Sequence, residues 1–338
     1  MTRTSFATFL AGLAPSLATI GLATIGLTMT GAAQASDLLV YTSQPSDQMA
    51  EVIRAFNADH PDIKVNLFRS GTTEVMNKLQ AEFAAGAPQA DIVLIADIVA
   101  ATQLKQDGRL YAYQHAPVGN LPKELIDPDH TFFGTKMITT GIVYNTNLVK
   151  TAPSSWNDLL APEAAKSVIM PSPLYSGAAA IHIGTVVQDP AFGWSYFEKL
   201  AAEGASTGKG NGTVIDAVAR GDKAYGIVVE YMAYNAKAKG SPVDFAFPKE
   251  GVSIVSQPVA ILKTAKNLDA AKAFVDWQLS RAAQELSVHQ GYFPIFSDMT
   301  PPAGYPAVSS LKFLDADGAT LLKNDAATKK KFADLFGG

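Results

Sequence analysis

The sequence predicts an α/β protein of two lobes around a hinged cleft, on three observations. Short apolar runs alternate with helix-spaced apolar residues over 38–95, a second such set spans 168–229, and strand-like segments at 137–144 and 256–262 link the two. Together they imply a chain that leaves its first lobe once and returns to it once.

The elements follow in order. Leu38, Leu39, Val40 and Tyr41 form a continuous apolar run, as a buried strand does, and Met49, Val52, Ile53 and Phe56 recur at helical spacing. Ile63, Val65 and Leu67 alternate as a strand, Val75, Leu79 and Phe83 mark a second helix face, and Ile92, Val93, Leu94 and Ile95 make a third strand. A β-α-β-α-β run of this kind folds as a largely parallel sheet with right-handed crossovers. Segment 137–144, with Gly141 inside it, suits a crossing strand. Val168, Ile169 and Met170 begin the second set, a helix follows Gly177, and Tyr225–Val229 is its buried strand. After 256–262, the helical spacing of Ala271, Phe274, Val275 and Leu279 returns to the character of the first set. Lobe one is thus expected at 36–139 and 256–338, and lobe two at 140–255.

Composition removes several function classes. The 338 residues are 48% hydrophobic and 17% charged, an ordinary globular balance with length enough for two lobes. With no cysteine there is no thiol catalysis, iron-sulfur cluster or Cys-type zinc site, and the five histidines are too dispersed for two to share a helical face. A net charge of −4 opposes nucleic-acid binding, which needs a basic surface. Residues 1–35 carry Arg3, an apolar stretch over 6–29 and the ending Gly31-Ala32-Ala33-Gln34-Ala35, the pattern of a signal peptide cleaved near Ala35. The mature chain is expected to begin near Ser36 as a monomer exported to the periplasm.

Ligands of open α/β sheets lie beyond the carboxyl ends of strands, where helix N-termini present unpaired N-H groups. The corresponding segments are Tyr41-Thr42-Ser43-Gln44-Pro45, Arg69-Ser70-Gly71-Thr72-Thr73-Glu74 and Ala96-Asp97 in the first lobe. In the second they are Pro171-Ser172-Pro173-Leu174-Tyr175-Ser176-Gly177, Gly210-Asn211-Gly212-Thr213 and Glu230-Tyr231. Singly, each reads as a helix cap. Converging from both lobes, with many neutral donors and few cations, they suit a small anion.

Catalytic constellations are weak. The stretch Gly208-Lys209-Gly210-Asn211-Gly212-Thr213 lacks the Gly-Lys-Ser/Thr ending of a nucleotide loop and follows no clear strand. Ser176 has no base beside it, and His182 reads as a packed helix residue. Asp97 and Glu230 could form the acid/base pair of a phosphoester hydrolase, or could hold a ligand's ammonium group; without a cofactor motif or activated nucleophile, holding is favoured. No enzyme activity and no cofactor or metal is expected.

Taken together, these segments resemble the type II periplasmic solute-binding proteins of ABC importers, in the branch that includes ferric-iron, sugar-phosphate and phosphonate binders. The likeness spans the mature chain. It is nearest to 2-aminoethylphosphonate-binding proteins at Val40-Tyr41-Thr42-Ser43-Gln44, Phe68-Arg69-Ser70-Gly71-Thr72-Thr73-Glu74-Val75 and Met170-Pro171-Ser172-Pro173-Leu174-Tyr175-Ser176-Gly177-Ala178. Phe247-Pro248-Lys249-Glu250-Gly251 and Gly291-Tyr292-Phe293-Pro294 mark the broad family. The iron branch uses adjacent tyrosines, whereas Tyr231 and Tyr234 stand three apart. The resemblance implies the two-lobed type II fold and a phosphonate ligand delivered to an inner-membrane ABC permease. It places Ser43, Ser70, Gly71, Thr72, Thr73, Ser176 and Gly177 at the phosphonate, with Thr140 reaching in from the hinge, and Glu230, Asp97 and Tyr231 at the ammonium. Sugar phosphate and ferric iron are the alternatives within the fold.

Overall fold

The computed structural model describes residues 36–337, so the expected signal segment 1–35 lies outside the described residues. β1 (Ser36–Thr42), α1 (Ser46–Asp59), β2 (Ile63–Arg69), α2 (Thr72–Ala84) and β3 (Ile92–Leu94) form the first β-α-β-α-β run, followed by α3 (Ile98–Gln106). The long strand β4 (Phe132–Asn145) leads to α4 (Pro162–Ala165), β5 (Val168–Pro171), α5 (Gly177–Gln188), α6 (Gly193–Ala202) and β6 (Ser206–Gly208). Next come α7 (Asn211–Arg220), β7 (Tyr225–Val229), α8 (Glu230–Ala238) and β8 (Val243–Ala246). β9 (Ser253–Ile261) runs back, and α9 (Leu268–Gln278), α10 (Arg281–His289) and α11 (Gly318–Phe336) follow.

The strands join in the order β2-β1-β3-β9-β4-β7-β5-β6, with β8 on β4. β1 is parallel to both β2 and β3, and β5 is parallel to both β6 and β7, so each lobe has the parallel core expected of its β-α-β pattern. β4 and β9 run antiparallel between them. From Phe132 to Thr140 β4 pairs β9, and from Thr140 to Asn145 it pairs β7 and β8. One strand thus serves both lobes, and with β9 it forms the two-stranded hinge.

Apolar clusters cover the sheet on each side of this hinge. Val40, Phe56, Phe274 and Trp277 pack in one lobe, Phe56 meeting Phe274 edge-on at 5.3 Å. Trp156, Phe197, Leu200 and Ile227 pack in the other.

Three features depart from the sequence reading. The crossing strand begins at Phe132, earlier than the expected 137, because a register shift between Gly134 and Met137 and the buried polar pair Thr135 and Lys136 break its apolar pattern. A strand does precede the glycine-rich loop: β6 pairs with β5 but is three residues long and polar, leaving no signal. Finally, α11, in the segment 256–338 expected for lobe one, packs on both lobes: Leu321 and Leu322 join the cluster of Ile98 and Val99 on α3, while Phe332 joins Trp156 and Phe197 and Leu321 abuts Gly184 of α5. Its sparse apolar residues specify a helix face but not which elements receive it.

Candidate functional site

Each lobe turns the carboxyl ends of its parallel strands toward the other, leaving a cavity of about 350 Å³. The first turns of five helices reach its wall: Pro45 and Ser46 of α1, Gly71 and Thr72 of α2, Ser176 and Gly177 of α5, Asn211 and Thr213 of α7, and Tyr231 and Met232 of α8. Helix starts carry unpaired N-H groups and the positive end of the helix dipole, so their convergence is an anion field supplied mainly by neutral groups.

Two cations add to it. Arg69, the last residue of β2, is oriented by its own lobe: Nε donates to the Gln44 carbonyl at 3.1 Å and Nη2 to the Ser43 carbonyl at 3.3 Å. Its Nη1 donates to the Tyr175 hydroxyl of the facing lobe at 3.3 Å. Lys209 approaches from lobe two, 3.1 Å from Glu74 of α2 and 4.6 Å above the Tyr175 ring. Among the described residues, no aspartate or glutamate lines the cavity.

Neutral groups fix the wall between these charges. The Ser43 hydroxyl accepts from the Ala96 amide at 3.0 Å, and Ser176 caps α5 by accepting from Ala179 at 3.2 Å. Asn211 donates to the Ser176 hydroxyl at 3.1 Å and accepts from the Val229 amide at 3.4 Å, tying three helix starts together. Behind Ser43, the buried Lys136 ammonium donates to Gln44 Oε1 at 3.1 Å, and burial pushes its pKa down to about 7.

Of the residues singled out from sequence, Ser43, Gly71, Thr72, Ser176, Gly177 and Tyr231 line the cavity. Five do not. The Ser70 hydroxyl donates to Glu74, and this bond, with Lys209, holds the Glu74 carboxyl below its usual range. Thr73 donates to the Pro173 carbonyl at 3.2 Å and is therefore an interlobe contact. Thr140 is buried in the hinge strand beside His182 and Met170.

The two candidate carboxylates are buried outside the cavity wall. Asp97 caps α3, accepting from the Ala100 amide at 3.0 Å, and burial pushes it up to about 6. Glu230 is fully buried, accepts from the Thr139 amide at 2.6 Å, and is pushed up to about 8 by burial. Neither lines the cavity: Asp97 Oδ1 is engaged by its own helix while Asp97 Oδ2 lies against Gly177 of the facing lobe, and Glu230 is engaged by the hinge. Arg69, Tyr175, Lys209, Asn211 and Thr213 lie in segments the sequence marked, yet spacing alone did not separate them from ordinary caps.

Tyr231 and Tyr234 part company in space. Tyr231 lines the cavity and packs its ring at a tilt against Tyr292, centroids 4.3 Å apart, while Tyr234 packs at a tilt against Tyr305 at 3.9 Å and is not among the lining residues. A paired-phenolate site is not formed by these two residues.

A family model described as bacterial extracellular solute-binding protein matches residues 42–285 of the chain. Iron uptake protein A1 of Synechocystis sp. is 26% identical over 279 residues, covering 77% of this chain and 76% of that protein. The putrescine/cadaverine-binding protein of Pseudomonas aeruginosa is 28% identical over 338 residues, 91% of each. Among solved structures, the periplasmic binding protein AfuA of Actinobacillus pleuropneumoniae, with fructose-6-phosphate bound, matches with a TM-score of 0.81 at 25% identity, covering 89% of this chain and 98% of that one. No described helix is long and apolar enough to cross a membrane.

Proposed function

This chain belongs to the bacterial extracellular solute-binding proteins, and we propose that it is the periplasmic binding component of an ABC importer for a small organophosphonate, 2-aminoethylphosphonate or a near relative. Capture takes place between the lobes, and an inner-membrane permease receives the ligand. The observation that carries this reading is the wall itself: five helix starts and the cations Arg69 and Lys209, without a lining carboxylate. A phosphonate dianion answers that field with three oxygens able to accept several N-H and O-H donors at once.

The same wall opposes the ligands in the relatives' names. A diamine would place ammonium groups beside Arg69 and Lys209, where the nearest acid, Glu74, is outside the lining and already paired with Lys209. Ferric iron favours phenolate and carboxylate oxygen, and here Tyr231 stands without Tyr234 or an acid. A phosphoester hydrolase is less favoured, because neither Asp97 nor Glu230 is among the residues lining the cavity. Sugar phosphate remains the second reading, since the phosphoryl cradle would serve it and the cavity of about 350 Å³ leaves room beyond a two-carbon chain.

Titration calorimetry of the mature protein decides among them, using 2-aminoethylphosphonate, ethylphosphonate, fructose-6-phosphate, putrescine and ferric citrate. Both phosphonates are expected to bind more tightly than fructose-6-phosphate, putrescine or ferric citrate. Tighter binding of fructose-6-phosphate would move the assignment to sugar phosphates, and binding of putrescine or iron alone would overturn the phosphorus-oxyanion reading.

A further inference from the structure

Two glycines of the cleft have backbones that any residue could adopt. Gly71 has φ −63° and ψ 154°, and Gly210 has φ −154° and ψ −176°. Their want of a side chain therefore has its reason in space rather than in torsion. A Cβ on Gly71 would stand 2.4 Å from the Tyr175 carbonyl oxygen and 2.6 and 2.7 Å from its ring atoms Cδ2 and Cε2. A Cβ on Gly210 would stand 2.9 Å from the opposite edge, Cδ1 and Cε1. The Tyr175 ring is seated between a glycine of each lobe.

Its polar contacts repeat the pattern. The hydroxyl accepts from Arg69 of lobe one at 3.3 Å, the ring face lies 4.6 Å from the Lys209 ammonium of lobe two, and the carbonyl accepts from the Thr73 amide across the cleft at 3.4 Å. One side chain thus touches both lobes and both cations of the wall while lining the cavity.

The geometry points to Tyr175 as the latch of the cleft: it locks lobe two onto Gly71 once a ligand is captured and positions Arg69 and Lys209 on the bound anion. This rests on the phosphonate reading, which supplies that anion. A latch forms after the encounter, so its loss acts on escape rather than on capture.

The test measures association and dissociation rates of 2-aminoethylphosphonate for the parent, Tyr175→Phe, Tyr175→Ala, Gly210→Ala and the Gly210→Ala/Tyr175→Ala double variant. Tyr175→Ala is expected to raise the dissociation rate by about tenfold or more with little change in association. Tyr175→Phe, which keeps the ring and loses the Arg69 bond, falls between. Gly210→Ala pushes on the ring and speeds dissociation in the parent, but adds nothing once the ring is gone, a non-additivity that separate packing defects would not show. Ligand-free melting temperatures of Tyr175→Phe and the parent should coincide. Unchanged dissociation in Tyr175→Ala, or additive losses in the double variant, would overturn the latch while leaving the ligand assignment standing. A parent that binds no phosphorus oxyanion would overturn both.

Discussion

The Thr139 amide on the hinge strand donates to Glu230 Oε2 at 2.6 Å, so the acid at the head of α8 holds the hinge and not the cleft. Its second oxygen, Oε1, is buried without a hydrogen-bond partner, and burial raises the group from 4.5 to about 8. The folded protein therefore keeps a proton that the unfolded chain releases above its ordinary pKa. The resulting stability is fully present below about 4.5 and is lost as pH rises through about 8.

Glu230→Gln should remove that slope, since the amide oxygen still accepts from Thr139 and cannot ionise. Melting temperature against pH is expected to flatten over this range and to rise at its alkaline end, every tenfold difference in proton affinity between the folded and unfolded chains being worth about 1.4 kcal/mol. Affinities for 2-aminoethylphosphonate and ethylphosphonate should both change little. A selective loss of the aminophosphonate would instead place Glu230 at the ligand's amine.

The anion end is tested by Thr72→Val and Arg69→Met. Thr72 is buried at the first turn of α2 and lines the cavity, and valine keeps its shape while deleting the hydroxyl. Each substitution should remove a charge-assisted hydrogen bond of about 1.5–3 kcal/mol, or roughly 10- to 100-fold in affinity by calorimetry. Melting of Thr72→Val should stay near the parent's. Unaltered affinity in both variants would leave the helix starts as caps alone.

His182 supplies the opposite pH response. Its Nδ1 lies 2.9 Å from the Ser253 hydroxyl, Trp156 covers its ring at 4.9 Å, and burial pushes its pKa from 6.5 down to about 3. Here the unfolded chain binds the extra proton, so stability is present above about 6.5 and is lost as pH falls toward about 3. His182→Gln, which leaves Ser253 a polar neighbour but cannot charge, should flatten the acid limb of the stability curve in calorimetric melting. An unchanged acid limb would show that other groups govern acid unfolding.

The sequence disclosed what periodicity and local chemistry encode. Val40, Phe56 and Phe274 fell at strand or helix spacing, and all are core residues. Ser176 and Gly71 stood at helix starts, and both reach the cavity. It did not disclose direction: Glu230 and Asp97 occupy strand ends as expected, but a rotamer decides whether such a carboxylate enters the cleft or caps a helix. Nor did it disclose long-range partners. That Arg69 would meet Tyr175, 106 positions away, and that α11 would return to α5, depend on how the lobes pack rather than on any local pattern.

Gly177 provides a steric test of the lobe contact itself. A Cβ there would lie 2.8 Å from Asp97 Cβ, 2.9 Å from Asp97 Oδ2 and 2.9 Å from the Ala96 carbonyl oxygen, all in the facing lobe. Within α5 alone, alanine should be preferred to glycine by about 1 kcal/mol. The methyl group of Gly177→Ala therefore favours the helix and obstructs the approach of the lobes, and the two effects separate in measurement. Melting of the ligand-free variant should be equal to or above the parent's, while affinity for 2-aminoethylphosphonate falls, overpacking of this kind costing about 1–3 kcal/mol. Small-angle scattering at saturating ligand should show less contraction than in the parent. Gly318→Ala, also at the first position of a helix but with nothing within 4 Å of its Cβ, should change neither property of ligand binding. If Gly177→Ala binds as tightly as the parent and contracts as far, the contact between α5 and the Ala96-Asp97 turn yields freely and does not set how closely the lobes meet.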